Sequence, residues 1–255
     1  MALDPEIFDT LIDTIRRFVR ERLRPLEGEV EAADAIPDAV IEEMKGLGLF
    51  GLSIAEEYGG LGLTMLEECK VAIELGRTTP AFRSTFGTNV GIGSQGLVMA
   101  GTPAQKAEWL PRIASGEVIT SFALTEPDVG SDSGAVKTRA VRDGDVYRLS
   151  GTKRFITNAD KAQLFTVMAR TGDEPGGRGV SAFLVPRDLP GISIGEPEKK
   201  MGQKARASPM WCSTTLPFPP PTASARKGRA SGSRCRCSIA GGCTSLQCAS
   251  ASPSG

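Results

Sequence analysis

Histidine is absent from all 255 residues. That excludes Ser-His-Asp and Cys-His catalysis and every metal site that needs imidazole. Acidic residues are missing from one end, since no Asp or Glu follows Glu198. Formal charge balances at 30 basic against 30 acidic residues, but six of the basic ones (Arg206, Arg226, Lys227, Arg229, Arg234, Arg236) lie beyond residue 205, leaving 24 against 30 before it. That mildly acidic part argues against a nucleic-acid surface. Cysteine is scarce: only Cys69 precedes Cys212, the pattern of a reduced, intracellular protein. No apolar run reaches membrane-spanning length, and the N-terminus MALDPEIFDTLIDTIRRF has acids where a signal peptide needs bases. These absences together predict a cytoplasmic protein with no membrane span.

What is present divides the chain in three. Residues 1–117 read as all-helical. Asp4-Pro5 is an N-cap followed by proline at the first helical position. Phe8, Leu11, Ile12, Ile15 and Phe18 or Val19 then recur at helical spacing, and Pro25 is expected to stop that helix. A second helix starts near Pro37-Asp38 and ends in Gly46/Gly48. Thr64-Met65-Leu66-Glu67 and Thr102-Pro103-Ala104-Gln105 are capping boxes that open two more. Gly91-Ile92-Gly93-Ser94-Gln95-Gly96 matches the dinucleotide-binding glycine pattern, but its lead-in, Ser84 to Asn89, is no buried strand. Close helix packing is the better reading.

From residue 118 the period becomes strand-like, predicting a small β-barrel or sandwich over 118–205 and an α+β chain overall. Val136–Val141 and Val146–Leu149 flank Asp143-Gly144, a hairpin signal, and Leu164–Ala169 and Val180–Val185 are two more strands. Within this region Phe122-Ala123-Leu124-Thr125-Glu126-Pro127 leaves an apolar strand and enters a loop of carboxylates and glycines, Asp128 to Gly134. Lys153-Arg154-Phe155-Ile156-Thr157-Asn158 closes the hairpin. Backbone N–H groups and hydroxyls beside aromatic faces suit a planar, hydrogen-bonding cofactor. Taken singly, each stretch also reads as an ordinary turn with core aromatics.

The two stretches together resemble the T-E-P-x-x-G-S-D and [WF]-I-T-N motifs of acyl-CoA dehydrogenases. The loop Glu56 to Gly62 and the run Gly101-Thr102-Pro103-Ala104-Gln105-Lys106 with Leu110-Pro111 are also similar to that family, and the resemblance covers nearly all of residues 1–204. It implies a flavoprotein that binds FAD and desaturates an acyl-CoA substrate, in fatty-acid or branched-chain oxidation. Electron-transferring flavoprotein is the implied acceptor, and the family is homo-oligomeric. The implied cofactor set is Phe122, Leu124, Thr125, Gly130, Ser131, Phe155, Ile156 and Thr157. The Leu124 backbone and Thr125 hydroxyl would serve the pyrimidine side, and the Thr157 hydroxyl would reach N5. Phe155 would cover the ring, and Ser131 would bond a pyrophosphate oxygen and also lie on the substrate side. Phe122 and Phe155 depart from the frequent tyrosine and tryptophan. Glu126 reads as structural. The family's base is a glutamate of a C-terminal helical bundle, so no catalytic residue is assigned and an inactive chain is expected; a non-catalytic remnant or weak flavin- or partner-binding module is the alternative.

Residues 206–255 read as a disordered tail. Pro217, Pro219, Pro220 and Pro221 oppose regular ladders, and hydrophobic periodicity is lost. Regrouping the codons of Met210 to Thr215 by one base allows Val-Val-(Phe/Leu)-Asp-Asp, a strand typical of the family, and later runs regroup in family order. The tail therefore reads as an out-of-frame translation. Cys235, Cys237, Cys243 and Cys248 as a zinc site is the weaker alternative, because Cys-x-Cys is unlike zinc-knuckle spacing.

Overall fold

The computed structural model describes residues 3–144, 146–205, 208–218, 233–240 and 243–250. Seven α-helices come first. Helix α1 (Pro5–Phe18) is capped by the Asp4 carboxylate, which accepts from the N–H groups of Glu6 and Ile7, and buries Phe8, Ile15 and Phe18. Pro25 does not stop the helical path, contrary to expectation. The backbone widens into a π-helical turn over Val19–Leu23, where the Arg24 N–H reaches the Val19 carbonyl, tightens to a 3-10 turn at Arg24–Leu26, and resumes as α2 (Glu27–Ala33). Changing the hydrogen-bond spacing accommodates a ring that has no N–H and would clash with a regular ladder. Helices α3 (Asp38–Gly46), α4 (Met65–Leu75), α5 (Pro80–Val90), α6 (Gln95–Ala100) and α7 (Pro103–Ala114) follow, and both expected capping boxes form.

The glycine-rich decoy lies between α5 and α6, so a helix and not a strand feeds it. A Cβ on Gly93 would fall 2.2 Å from the Thr120 hydroxyl and 2.7 Å from the Thr88 carbonyl. The glycine is there because the helical turn presses onto the first strand.

On α4, burial pushes the Glu68 carboxyl up to about 7, with Arg83 opposing weakly. A raised carboxyl costs no stability below its unfolded value near 4.5 and an increasing amount as pH rises towards 7. Glu68→Gln is thus expected to stabilise the protein at pH 8 by about 1–2 kcal/mol, the full linkage value being reduced by solvent screening at this half-exposed position. The gain should shrink towards pH 4.5 in denaturant titrations; a gain independent of pH would contradict it.

The strands form one curled seven-stranded sheet and not a sandwich. They are β1 (Thr120–Ala123), β2 (Arg139–Asp143), β3 (Val146–Lys153), β4 (Leu164–Arg170), β5 (Val180–Pro186), β6 (Ile192–Ile194) and β7 (Trp211–Phe218), in the order β1-β4-β2-β3-β7-β6 with β5 against the other side of β4. The β2–β3 hairpin turns where expected, with Gly144 at φ +59°. β6 follows Gly191 and is too short for periodicity to reveal. β7 lies beyond residue 205, where no regular structure is expected, and pairs with β3 from Lys153↔Trp211 to Tyr147↔Phe218. Strand β3 offers a free edge, and backbone pairing depends little on which side chains fill the partner. Two more strands, β8 (Ser233–Ala240) and β9 (Cys243–Ser250), pair with each other. The side chains of the four cysteines considered for zinc lie outside the described residues.

One core fills the helical part around Ile15, Leu23, Met44, Phe50 and Phe82. Another fills the curl of the sheet around Leu149, Phe165, Val167, Phe183 and Trp211. A third, with Ile54, Leu97, Leu110, Ile113, Leu164 and Leu184, joins α6 and α7 to β4 and β5. This shared core seats the sheet against the helices and brings the ends of β1 and β3 next to α5.

Candidate flavin-binding site

Two segments meet where β1 and β3 end. The Arg154 N–H donates to the Thr125 carbonyl at 2.8 Å, and the Ser121 hydroxyl donates to the Thr157 carbonyl. Residues 121–125 therefore run beside residues 154–157. The segment after β3 is fixed from three more directions. The Ile156 N–H donates to the Pro209 carbonyl at 3.1 Å. The Asn158 amide donates to the Ser84 carbonyl and the Thr88 hydroxyl of α5, both at 3.0 Å. The Arg154 guanidinium reaches Glu198 at 3.1 Å and lies 4.7 Å from the centre of the Phe155 ring.

Phe155 stands out in this segment. Its backbone is left-handed at φ +60°, and its ring is 54% exposed. A left-handed conformation costs a residue with a Cβ roughly 1–2 kcal/mol, and an exposed ring forgoes burial that would offset it. Ile156, by contrast, is buried in the sheet core. Phe122 is half-buried in β1, paired with Thr166 of β4. Leu124, Thr125 and Thr157 are half-buried, whereas Gly130 and Ser131 are exposed in the loop after β1, with open space where a Cβ of Gly130 would project. The implied residues thus split into a gathered group, Leu124, Thr125, Phe155, Ile156 and Thr157, with Phe122 on the strand that leads into it, and the looser pair Gly130 and Ser131 in the exposed loop.

Beneath the gathered group lies a buried ion pair that the motifs did not reveal. Lys153 Nζ is 2.8 Å from Glu126 Oε1 and 3.1 Å from the Leu124 carbonyl oxygen, and the two side chains are 0% and 4% exposed. Glu126 also accepts from the Lys137 N–H, the Thr138 N–H and the Thr138 hydroxyl. Burial alone would raise the Glu126 carboxyl, but the bonds from Lys153, Thr138 and Lys137 outweigh it and hold it below its ordinary value. Burial pushes the Lys153 ammonium down, and its bond to Glu126 restores part of the loss. These contacts tie Glu126 to Lys153 and to the chain leading into β2. Lys153 was legible only as a letter in the motif, because its partner is 27 residues away.

A two-part family model fits the chain. The acyl-CoA dehydrogenase N-terminal domain matches residues 6–117, and the middle domain matches residues 121–214. The chain belongs to the acyl-CoA dehydrogenase family. It is 34% identical to an acyl-CoA dehydrogenase of Bacillus subtilis over 74% of this chain and 50% of that one. It is 39% identical to (2S)-methylsuccinyl-CoA dehydrogenase of Cereibacter sphaeroides over 77% of this chain and 38% of that one. Among solved structures, glutaryl-CoA dehydrogenase of Mycobacterium smegmatis in complex with FADH2 superposes with a TM-score of 0.75 at 33% identity, covering 87% of this chain and 56% of that one. The chain thus spans about half the length, or less, of these acyl-CoA dehydrogenases. The matched segments are the helical part and the curled sheet, with the ends of β1 and β3 inside the second. No helix among the described residues is long and apolar enough to cross a membrane.

Proposed function

We propose that the ends of β1 and β3 bind FAD, and that the protein is a flavin-dependent acyl-CoA dehydrogenase acting in the cytoplasm with electron-transferring flavoprotein as acceptor. The observation that carries this reading is Phe155, whose ring is held exposed by a strained backbone beside Leu124, Thr125 and Thr157. Exposed aromatic surface next to fixed polar groups fits a flat ring with a hydrogen-bonding edge. Bound flavin would supply a hydride acceptor for the β-hydrogen of an acyl thioester. The chain's own part is to hold and shield that ring. Thr125 and Thr157 carry hydroxyls along this edge, Phe155 offers apolar cover, the buried Ile156 anchors the segment beneath it, and Gly130 and Ser131 offer an open loop for phosphate. Strain at a surface aromatic is stored where a ligand repays it.

The test is a titration of the chain with FAD, followed by fluorescence polarisation. Binding is expected, and Phe155→Ala and Thr157→Val should each weaken it about tenfold, the worth of one stacking contact or one hydrogen bond. Binding that ignores both substitutions would remove the site from this place.

The base that takes the α-proton is assigned to none of these residues. One structural detail supports the reading of residues 206–255 as out of frame. Trp211 is fully buried in β7, yet its indole Nε1 has no hydrogen-bond partner among the described residues. An unmet indole donor is uncommon in a core, and the shifted frame allows small apolar residues instead. Sequencing the coding DNA around codon 205 decides the matter. Restoring the frame is expected to yield protein whose yellow colour bleaches anaerobically with an acyl-CoA. Shifted codons that fail to regroup would reject the reading.

A further inference from the structure

In the buried Lys153–Glu126 pair, the lysine reaches one peptide unit of the proposed site. Lys153 Nζ donates to the Leu124 carbonyl oxygen at 3.1 Å, and that carbonyl shares its peptide plane with the Thr125 N–H. No peptide among the described residues is cis, and in a trans unit the carbonyl and the N–H point opposite ways. The Thr125 N–H therefore turns away from the buried ammonium, and no backbone carbonyl among the described residues accepts from it. The Thr125 carbonyl is already taken by the Arg154 N–H at 2.8 Å. The Leu124–Thr125 edge thus has its acceptors occupied inward and keeps a donor for a ligand.

A charged donor on a carbonyl oxygen polarises the whole amide, and hydrogen bonds in line strengthen one another where the dielectric is low. Glu126 keeps the ammonium in place, and the backbone N–H groups of Lys137 and Thr138, which a side-chain substitution does not remove, keep Glu126 in place. We propose that Lys153 is a positioning residue: anchored by Glu126, it polarises the 124–125 peptide and makes the Thr125 N–H a charge-reinforced donor to the cofactor. The proposal rests on the flavin reading above for the identity of the acceptor, and on this chain's geometry alone for the polarised amide. A stronger donor on a ring that gains negative charge on reduction favours the reduced form.

The experiment compares Lys153→Met with Thr138→Val. The second variant loosens the same buried cluster by one hydrogen bond and leaves the ammonium on the Leu124 carbonyl. In flavin-free protein, Lys153→Met is expected to move the Thr125 amide proton resonance upfield, while Thr138→Val leaves it in place. With FAD, Lys153→Met should bind about 10- to 100-fold more weakly, the worth of one hydrogen bond to a charged group. Its preference for reduced over oxidised flavin should fall about tenfold, ~30 mV for a two-electron couple. Thr138→Val should stay within about twofold of wild type in affinity, because it removes no charge from the amide. If Lys153→Met does not fold, Lys153→Gln, which keeps a donor without charge, takes its place. The proposal is overturned if the Thr125 resonance and the affinity survive loss of the ammonium, or if Thr138→Val moves both as far. Should the wild-type chain take up no FAD, the flavin reading fails, while the resonance in flavin-free protein still decides the role of Lys153.

Discussion

Replacing Asn89 by leucine is expected to destabilise the protein by about 2–5 kcal/mol, a large part of the 5–15 kcal/mol typical of a folded domain. Asn89 is fully buried on α5. Its Nδ2 donates to the Val118 carbonyl at 2.8 Å and the Ile113 carbonyl at 3.1 Å, while its Oδ1 accepts from the Thr120 N–H at 2.8 Å and the Thr120 hydroxyl at 3.1 Å. These bonds tie α5 to the end of α7 and to the start of β1, the seam between helices and sheet. Leucine has the same branched arrangement of four heavy atoms, though bulkier methyl groups, and no polar atoms. It would strip these partners from the Thr120 N–H and the Val118 carbonyl, whereas the Ile113 carbonyl keeps the Gly116 N–H at 3.1 Å. The cost of an unmet buried group exceeds the value of the bond it lost, so the two orphans dominate. Equilibrium unfolding in urea measures this, with Ser84→Ala on the same helix as a control expected within about 0.5 kcal/mol of wild type. A loss under about 1 kcal/mol for Asn89→Leu would mean that water or a backbone shift reaches the seam.

Glu126→Leu is expected to cost about 3–5 kcal/mol, because removing one partner of a buried pair leaves the other charge uncompensated. Lys153 would stay under the sheet with the Leu124 carbonyl as its remaining recorded partner, and the N–H groups of Lys137 and Thr138 would lose their acceptor. The effect has a pH signature. The Glu126 carboxyl lies below its ordinary value of 4.5 in the folded state, so its contribution is present above that pH and is lost as pH falls through the lower folded value. The difference between wild type and Glu126→Leu should accordingly be largest near neutral pH and narrow in acid. Paired denaturant titrations at neutral and acid pH measure it. A difference that grows in acid would show that the pair is not ionised in the way the contacts require. Replacing both partners by apolar residues should restore much of the loss, as buried pairs often exchange for hydrophobic packing at little net cost.

Local rules made much of this molecule legible from its letters. Asp4-Pro5, Thr64/Glu67 and Thr102/Gln105 mark helix starts because a cap satisfies N–H groups within one turn, and no distant residue is needed. Asp143-Gly144 marks the hairpin for the same reason. The family motifs located the segments at the ends of β1 and β3, and Glu126 was read as structural from its place inside one of them. Tertiary packing decided the rest. The path through Pro25 depends on how far neighbouring carbonyls can shift, which proline chemistry alone does not fix. The short strand β6 carries no periodicity, and β7 exists because β3 presents an edge to pair with. Asn89 and Lys153 are single letters whose partners lie 24 to 31 and 27 to 29 residues away. Composition and spacing are local quantities, so they settled the helices, the hairpin and the absence of histidine chemistry. Which buried polar groups meet, and which ring is left facing outward, are set by long-range closure of the sheet onto the helices, and only the folded chain brings those residues together.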